Sequence, residues 1–216
     1  MIKLKKLSEP LVLKDNKHAW LGDLKAAKKS APERVDEIRH RYRDSEVKDQ
    51  IVRETNGKCA YCESKMRHVD PGQIEHMIPF TVSEDDVFEW ENLTLACPEC
   101  NRRKNALFDP DQGFLNPYKD DPSAHLFPAG PLVMPRPGST IGKITELGLE
   151  LNRMQLIEQR TDAIVHVNNL LDQYALEPNA LLRKLQYRKL NELKRDDQEF
   201  AMVVKAHLKS VKISKP

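Results

Sequence analysis

Two short cysteine pairs constrain this chain more than any other feature: Cys59-Ala-Tyr-Cys62 and Cys97-Pro-Glu-Cys100. They hold all four cysteines of the 216 residues, so none is left over. A C-x-x-C turn sets two thiolates on one side of an ion, and a second such turn completes a tetrahedron of soft ligands that suits zinc. In a reducing compartment the pattern favours metal over disulfides. A redox C-x-x-C needs a thioredoxin-like strand–helix context, and none surrounds these pairs. Four cysteines leave no open coordination position, so the expected Zn²⁺ is structural and not catalytic. Few large apolar residues lie between Cys59 and Asn105. A structural zinc site adds folding free energy on the order of 10 kcal/mol, which suits so small a core.

The rest of the chain divides by composition. Residues 1–55 read as an N-terminal helical segment, broken at Glu9-Pro10 and anchored by Trp20. Val35, Ile38, Tyr42, Val47 and Ile51 recur at helical spacing. Asn56-Gly57 has the composition of a helix C-cap and turn. Residues 56–108 hold both cysteine pairs, with Leu93-Thr94-Leu95-Ala96 as a strand leading into the second, and a short helix expected from Asn101 onward. Residues 109–143 form a connector; Pro110, Pro117, Pro122, Pro128, Pro131, Pro135 and Pro137 exclude a long helix or a central strand. Asn116-Pro117-Tyr118 and Phe127 are candidates to pack this connector over the cysteine-containing core.

Residues 144–216 read as a helical region. Met154, Ile157, Thr161, Ile164, Asn168, Leu171 and Tyr174 mark one helix, and Leu181, Leu182, Leu185, Leu190 and Leu193 a second. Phe200, Val203, Val204 and Leu208 mark a third. From Arg183 onward lysine and arginine outnumber acids, ten to four, through Lys212 and Lys215. The formal net charge is only +2, so any grip on nucleic acid must come from local positive charge or from a partner. The chain has no membrane-length apolar run, and its first residues do not resemble a secretory signal, which points to the cytoplasm.

Between the cysteine pairs lies Gln73-Ile74-Glu75-His76-Met77-Ile78-Pro79, and Trp90-Glu91-Asn92-Leu93 precedes the second pair. Hydrolysis of a phosphodiester requires an activated water and neutralisation of charge at phosphate. His76 is able to accept a proton near neutral pH. Glu75 and Asn101 offer hard oxygen ligands suited to Mg²⁺ or Mn²⁺. On an extended strand ending near Pro79, Glu75 and His76 point to opposite sides, which separates a metal ligand from a base. Asn101 also has the composition of a helix N-cap, and Asn105 is a rival ligand one turn later. Arg102, Arg103 and Lys104 are candidates for phosphate contact. His18, His40, His68, His125, His166 and His207 have no comparable context.

These residues resemble the HNH endonuclease family. The resemblance is carried by Cys59-x-x-Cys62, Glu75-His76-x-x-Pro79, Glu91-Asn92-Leu93 and Cys97-x-x-Cys100-Asn101-x-x-Lys104. It implies an α+β chain whose zinc-stapled core has the ββα-metal fold: two strands and a helix around one divalent ion. His76 would then be the general base, Glu75 and Asn101 the ligands of the catalytic metal, and Asn92 the brace of the hairpin carrying the base. Glu75 stands where Asp is commoner, so its carboxylate reaches one methylene further. The final Asn101, in place of His, favours Mg²⁺ or Mn²⁺ over soft metals.

A wider resemblance rests on Lys5-Lys6-x-x-Glu9-Pro10, Leu13 and Trp20 at the start, and on Ile144-Thr145-Glu146-Leu147-Gly148-Leu149 with Leu151-Asn152-Arg153 later. Together with the chain's size, these resemble the HNH component of Septu-type anti-phage systems, some of which accompany retrons. That resemblance implies an ABC/SMC-like ATPase partner that restrains the nuclease, bound through the C-terminal or N-terminal helices. It implies nucleic acid as substrate, DNA ahead of tRNA. Competing readings are a stand-alone restriction-type enzyme, a tRNA-cleaving effector, and a non-catalytic zinc module. The restriction enzyme would need a base-reading element that the sequence does not display. The zinc module would need the cysteines but not Glu75, His76 and Asn101 together.

Overall fold

The computed structural model describes residues 1–66, 70–105, 107–109, 113–211 and 213. His68, Pro110, Lys212 and Lys215 lie outside the described residues. Contacts divide the chain into two compact units, one of Leu4–Ala60 with Lys65–Asp111, the other of Met1–Lys3, Tyr61–Ser64 and Gln112–Pro216.

In the first unit, helix α1 (Leu11–Ser30) starts at Pro10, whose carbonyl accepts from Lys14 N, and ends where Ala31-Pro32 breaks the ladder. A short helix α2 (Val35–Arg39) follows, then α3 (Ser45–Thr55), capped by the Asp44 carboxylate accepting from Glu46 N at 2.8 Å. Asn56 and Gly57 both take left-handed φ, 55° and 65°, and Gly57 N donates to Val52 O at 2.8 Å. This is the glycine-type helix end that the sequence suggests.

Strands β1 (Gln73–His76) and β2 (Leu93–Ala96) pair antiparallel, with Glu75 opposite Thr94 and His76 opposite Leu93. Helix α4 (Pro98–Lys104) follows directly. The core beneath joins Leu13 and Leu24 of α1, Ile38 and Tyr42, Val47 and Ile51 of α3, Phe88, Trp90, and Leu93 and Leu95 of β2. Trp20 packs against this cluster, edge-on to Phe88 at 5.6 Å.

The basic opening motif acts structurally. The Lys6 ammonium donates to Glu54 at 2.9 Å and to Leu93 O at 2.5 Å, and lies 4.0 Å over the Trp90 ring. Trp90 Nε1 donates to Leu7 O at 2.9 Å. The leading segment is thereby tied to α3 and to the start of β2.

Helix α4 begins at Pro98, one turn earlier than the sequence suggests, and Cys97 is its N-cap through Sγ accepting from Cys100 N at 3.3 Å. Asn101 is therefore inside the helix and not its N-cap. Proline at the first helical position needs no N–H partner, so the cysteine pair itself nucleates the helix.

The second unit holds a short helix α5 (Pro122–His125), a hairpin of β3 (Leu126–Ala129) and β4 (Leu132–Pro135), and helices α6 (Thr140–Gly148), α7 (Met154–Leu176), α8 (Ala180–Glu192) and α9 (Ala201–Ser210). The proline-rich stretch is thus more ordered than a loop-rich connector. Its prolines are tolerated because each strand of a two-stranded sheet has a free edge. Tyr118 and Phe127 group with the helical region rather than with the nuclease-like core.

Asn152 reads β4 like a neighbouring strand: its amide donates to Val133 O at 2.9 Å while its Oδ1 accepts from Val133 N at 2.8 Å. Arg160 is buried and donates to Leu151 O at 2.7 Å. The helical core is Val167, Leu170, Tyr174, Leu190, Val204 and Leu208. On α7 the buried face is Leu156, Arg160, Val167, Leu170 and Tyr174; Met154, Thr161 and Asn168 are exposed. The buried face thus lies beside the row suggested by spacing, and a buried arginine, which spacing of apolar residues does not mark, forms part of it. On α8 only Leu190 is buried, and Leu181, Leu182 and Leu185 face solvent. On α9 the expected Val203, Val204 and Leu208 are buried.

Candidate active site

β1 ends at His76, and the long loop that follows returns to β2 through Asn92. The Asn92 side chain ties that loop back onto its own start. Asn92 Oδ1 accepts from Ile78 N at 2.7 Å, and its Nδ2 donates to Ile78 O at 2.9 Å and to Asp86 O at 3.1 Å. An amide carries a donor and an acceptor a short distance apart, so it closes the loop as a strand partner would. Asn92 itself is buried.

His76 is buried with Tyr42 edge-on at 4.6 Å and Phe80 edge-on at 5.8 Å. Its Nε2 lies 2.9 Å from Val87 O. A carbonyl only accepts, so Nε2 carries the hydrogen and Nδ1 the lone pair. Burial pushes the imidazole down to about 4, with Lys104, Arg43 and His40 adding to the shift and the Val87 hydrogen bond opposing it. The ring is therefore neutral at neutral pH.

Glu75 is also buried, and Lys104 Nζ lies 2.6 Å from its Oε1. Burial pushes this carboxyl up, and Lys104 pulls it back. The same ammonium donates to His76 O at 2.8 Å. Lys104 is thus enclosed, 1% exposed, and does not face solvent as the phosphate contact suggested by its run of basic neighbours. The turn of α4 that carries it points into the core, whereas Arg102 is exposed and Arg103 half-buried, both paired with Glu99 at 2.8 and 2.7 Å.

Asn101 Nδ2 donates to Gln73 Oε1 at 2.7 Å, which turns its Oδ1 away from that bond. Glu75, His76 and Asn101 border one cavity of about 510 Å³. Asn105, beyond α4, is exposed and is not among the cavity's lining residues. Six further lining residues had no motif to announce them: Tyr42, Arg43, Lys48, Pro71, Gly72 and Phe80. Tyr42 reads as core periodicity in the sequence. Phe80 follows Pro79 directly, and its place next to the Glu-His motif was the available signal. Burial lowers the Lys48 ammonium, whose Nζ donates to Gly72 O at 2.5 Å.

The four cysteine sulfurs lie within 4.8 Å of one another, and all four residues are buried and free of disulfides. A tetrahedral thiolate site with bonds of about 2.3 Å needs sulfurs roughly this close, so the set fits a metal ion. Of the other histidines, His125 Nδ1 meets Ser139 Oγ and His207 Nε2 meets Asn168 Oδ1, each within a local contact away from the cavity.

Residues 59–107 match the HNH endonuclease family. The matched stretch spans both cysteine pairs, β1, β2 and α4. Beyond that stretch the chain is similar to Septu protein PtuB of Bacillus mycoides (strain KBAB4), 28% identical over 194 residues, covering 74% of this chain and 66% of the relative. Septu protein PtuB of Bacillus thuringiensis is 30% identical over 81 residues, 37% of this chain and 32% of that one. Septu protein PtuA of B. mycoides is 28% identical over 153 residues, 56% of this chain and 21% of that protein. The chain thus spans just under two thirds of the first PtuB and about a third of the second. These names point to Septu systems, and none points to a retron. Among the described residues no helix is long and apolar enough to cross a membrane.

Proposed function

We propose that the chain is a metal-dependent HNH nuclease that hydrolyses nucleic-acid phosphodiesters as the effector of an anti-phage defence complex. The observation that carries this reading is the single cavity bordered by Glu75, His76 and Asn101. His76 is the general base. Its Nε2–H is held by Val87 O, so Nδ1 takes the proton from the attacking water. Asn92 fixes the loop after His76 and so the orientation of that ring.

The donors fit a hard divalent cation. Glu75 supplies a buried carboxylate, and Asn101 supplies the amide oxygen left over from its bond to Gln73. A Mg²⁺ or Mn²⁺ ion held there supplies charge neutralisation at the scissile phosphate. The exposed Arg102, with the half-buried Arg103 beside it, meets flanking phosphates after exchanging Glu99 for substrate. Cys59, Cys62, Cys97 and Cys100 hold a structural Zn²⁺ that fixes α4 behind the site.

The similarity to PtuB, and the further match to PtuA, support a partner from the same defence system, which we take to be an ABC/SMC-like ATPase. The helices of residues 144–216 or the N-terminal segment are its docking surface. The exposed Leu181, Leu182 and Leu185 of α8 favour the former. We place the protein in the cytoplasm and expect DNA ahead of tRNA as substrate. Co-purification with the ATPase encoded beside it, followed by cleavage assays on DNA and tRNA with Mg²⁺, tests this. Cleavage that His76→Ala abolishes supports the reading. If a zinc-loaded, intact complex cuts neither substrate, the site is either locked for want of a trigger or a relic, and the non-catalytic zinc module gains weight; cleavage that persists in His76→Ala refutes the reading.

A further inference from the structure

Phe80 is an exposed aromatic residue on the wall of a cavity that is part polar and part apolar. It is 36% exposed, borders the same space as Glu75, His76 and Asn101, and stands edge-on to the His76 ring at 5.8 Å. The Arg39 guanidinium lies 5.1 Å over the Phe80 ring. Phosphate chemistry has no need of an aromatic ring at this point, and water gains nothing from it. A nucleobase does, because every base offers a π-face and stacks on exposed aromatic and guanidinium planes. The cavity's volume of about 510 Å³ is that of a small-molecule site, larger than a phosphate requires. Arg43 and Lys48 line it as well, and each brings a cation to the strand beside the base.

We infer that the site accepts an unpaired nucleotide whose base stacks on Phe80, so that single-stranded or looped nucleic acid is preferred over continuous duplex. In a duplex both faces of each base are already covered by neighbours, and the platform has nothing to grip without unstacking. This rests on the nuclease reading for the position of the phosphate. It goes further by assigning Phe80, with Arg39 behind it, as the residue that selects strand state.

The test is binding in a chain that cannot cut. Full-length, zinc-loaded His76→Ala protein is titrated by fluorescence anisotropy, with Mg²⁺ present, against a short labelled DNA strand, the RNA of the same sequence, and the DNA duplex. At least one single strand binds more tightly than the duplex. Adding Phe80→Ala weakens that strand about 5- to 150-fold, the range for one stacked base, and leaves the duplex unchanged. Adding Phe80→Trp instead preserves single-strand binding. Equal weakening of strand and duplex would mean that Phe80 only packs against its neighbours, and would overturn the inference. Tighter binding of duplex, or no single-strand binding by the parent protein, overturns it too. Because no cleavage is read, a failure here is distinct from a failure of the nuclease reading.

Discussion

Lys104→Met gives the sharpest thermodynamic test of how the site is held. The ammonium sits between Glu75 Oε1 at 2.6 Å and His76 O at 2.8 Å, and both glutamate and lysine are almost fully enclosed. Methionine keeps the length and apolar stem of lysine but removes the charge. Taking away one partner of a buried ion pair costs about 3–5 kcal/mol, because the other charge stays out of water. Glu75 limits that loss by taking up a proton, since burial already pushes its carboxyl up. We therefore expect a loss of about 3 kcal/mol at neutral pH, the lower end of that range. The sign with pH follows. A carboxyl whose folded pKa lies above its unfolded value destabilises the fold increasingly as pH rises, so the penalty of Lys104→Met shrinks toward pH 5. Urea unfolding of the zinc-loaded chain at both pH values measures it. The double variant with Glu75→Gln recovers much of the loss, because neither charge is then stranded. A cost under about 1 kcal/mol with no coupling between the two sites would refute the buried-pair account.

Three other outcomes are expected. Chelating the metal, or changing Cys59 to Ser, unfolds the region around β1, β2 and α4, since such sites supply on the order of 10 kcal/mol. Metal content by atomic absorption, with circular dichroism, checks this, and native spectra in metal-free protein would contradict it. Asn92→Ala removes three hydrogen bonds to Ile78 and Asp86. It costs roughly 2–4 kcal/mol in urea unfolding and lowers cleavage further than that loss alone explains. Acid selectively destabilises the fold through His76, because burial lowers the folded imidazole from 6.5 to about 4. The unfolded chain then binds the proton first, so stability falls from pH 6.5 down through about 4, by up to about 3 kcal/mol. His76→Gln removes that component, and identical pH profiles for the two proteins would count against it.

Much of the candidate site was legible because the chemistry proposed for it needs particular residue types at fixed spacings. The C-x-x-C pairs, Glu75-His76, Asn92 and Asn101 are such residues, and Glu75, His76 and Asn101 border one cavity. The N-terminal helices were legible for a different reason: Val47 and Ile51 alternate with charge at a period that only a helix satisfies. Lys104 was misread because an ammonium in a basic run carries no mark of burial. Only the direction of one helical turn decides whether it meets phosphate or Glu75. The face of α7 was misjudged for a related reason, since a buried Arg160 satisfied by backbone carbonyls breaks the apolar row. The β3–β4 hairpin hid behind its prolines, which a two-stranded sheet accommodates at its edges. The one sequence signal for Phe80 is its place beside the Glu-His motif; its meaning comes from what surrounds it in space.

The central claim is that His76 activates water at a site completed by Glu75 and Asn101. The most direct measurement is the rate of phosphodiester cleavage with Mg²⁺ by the wild-type complex, by His76→Gly, and by His76→Gly with added imidazole, each with zinc content verified. The account predicts cleavage by wild type, none by His76→Gly, and partial recovery when free imidazole fills the gap. Undiminished cleavage by a zinc-loaded His76→Gly complex would contradict it.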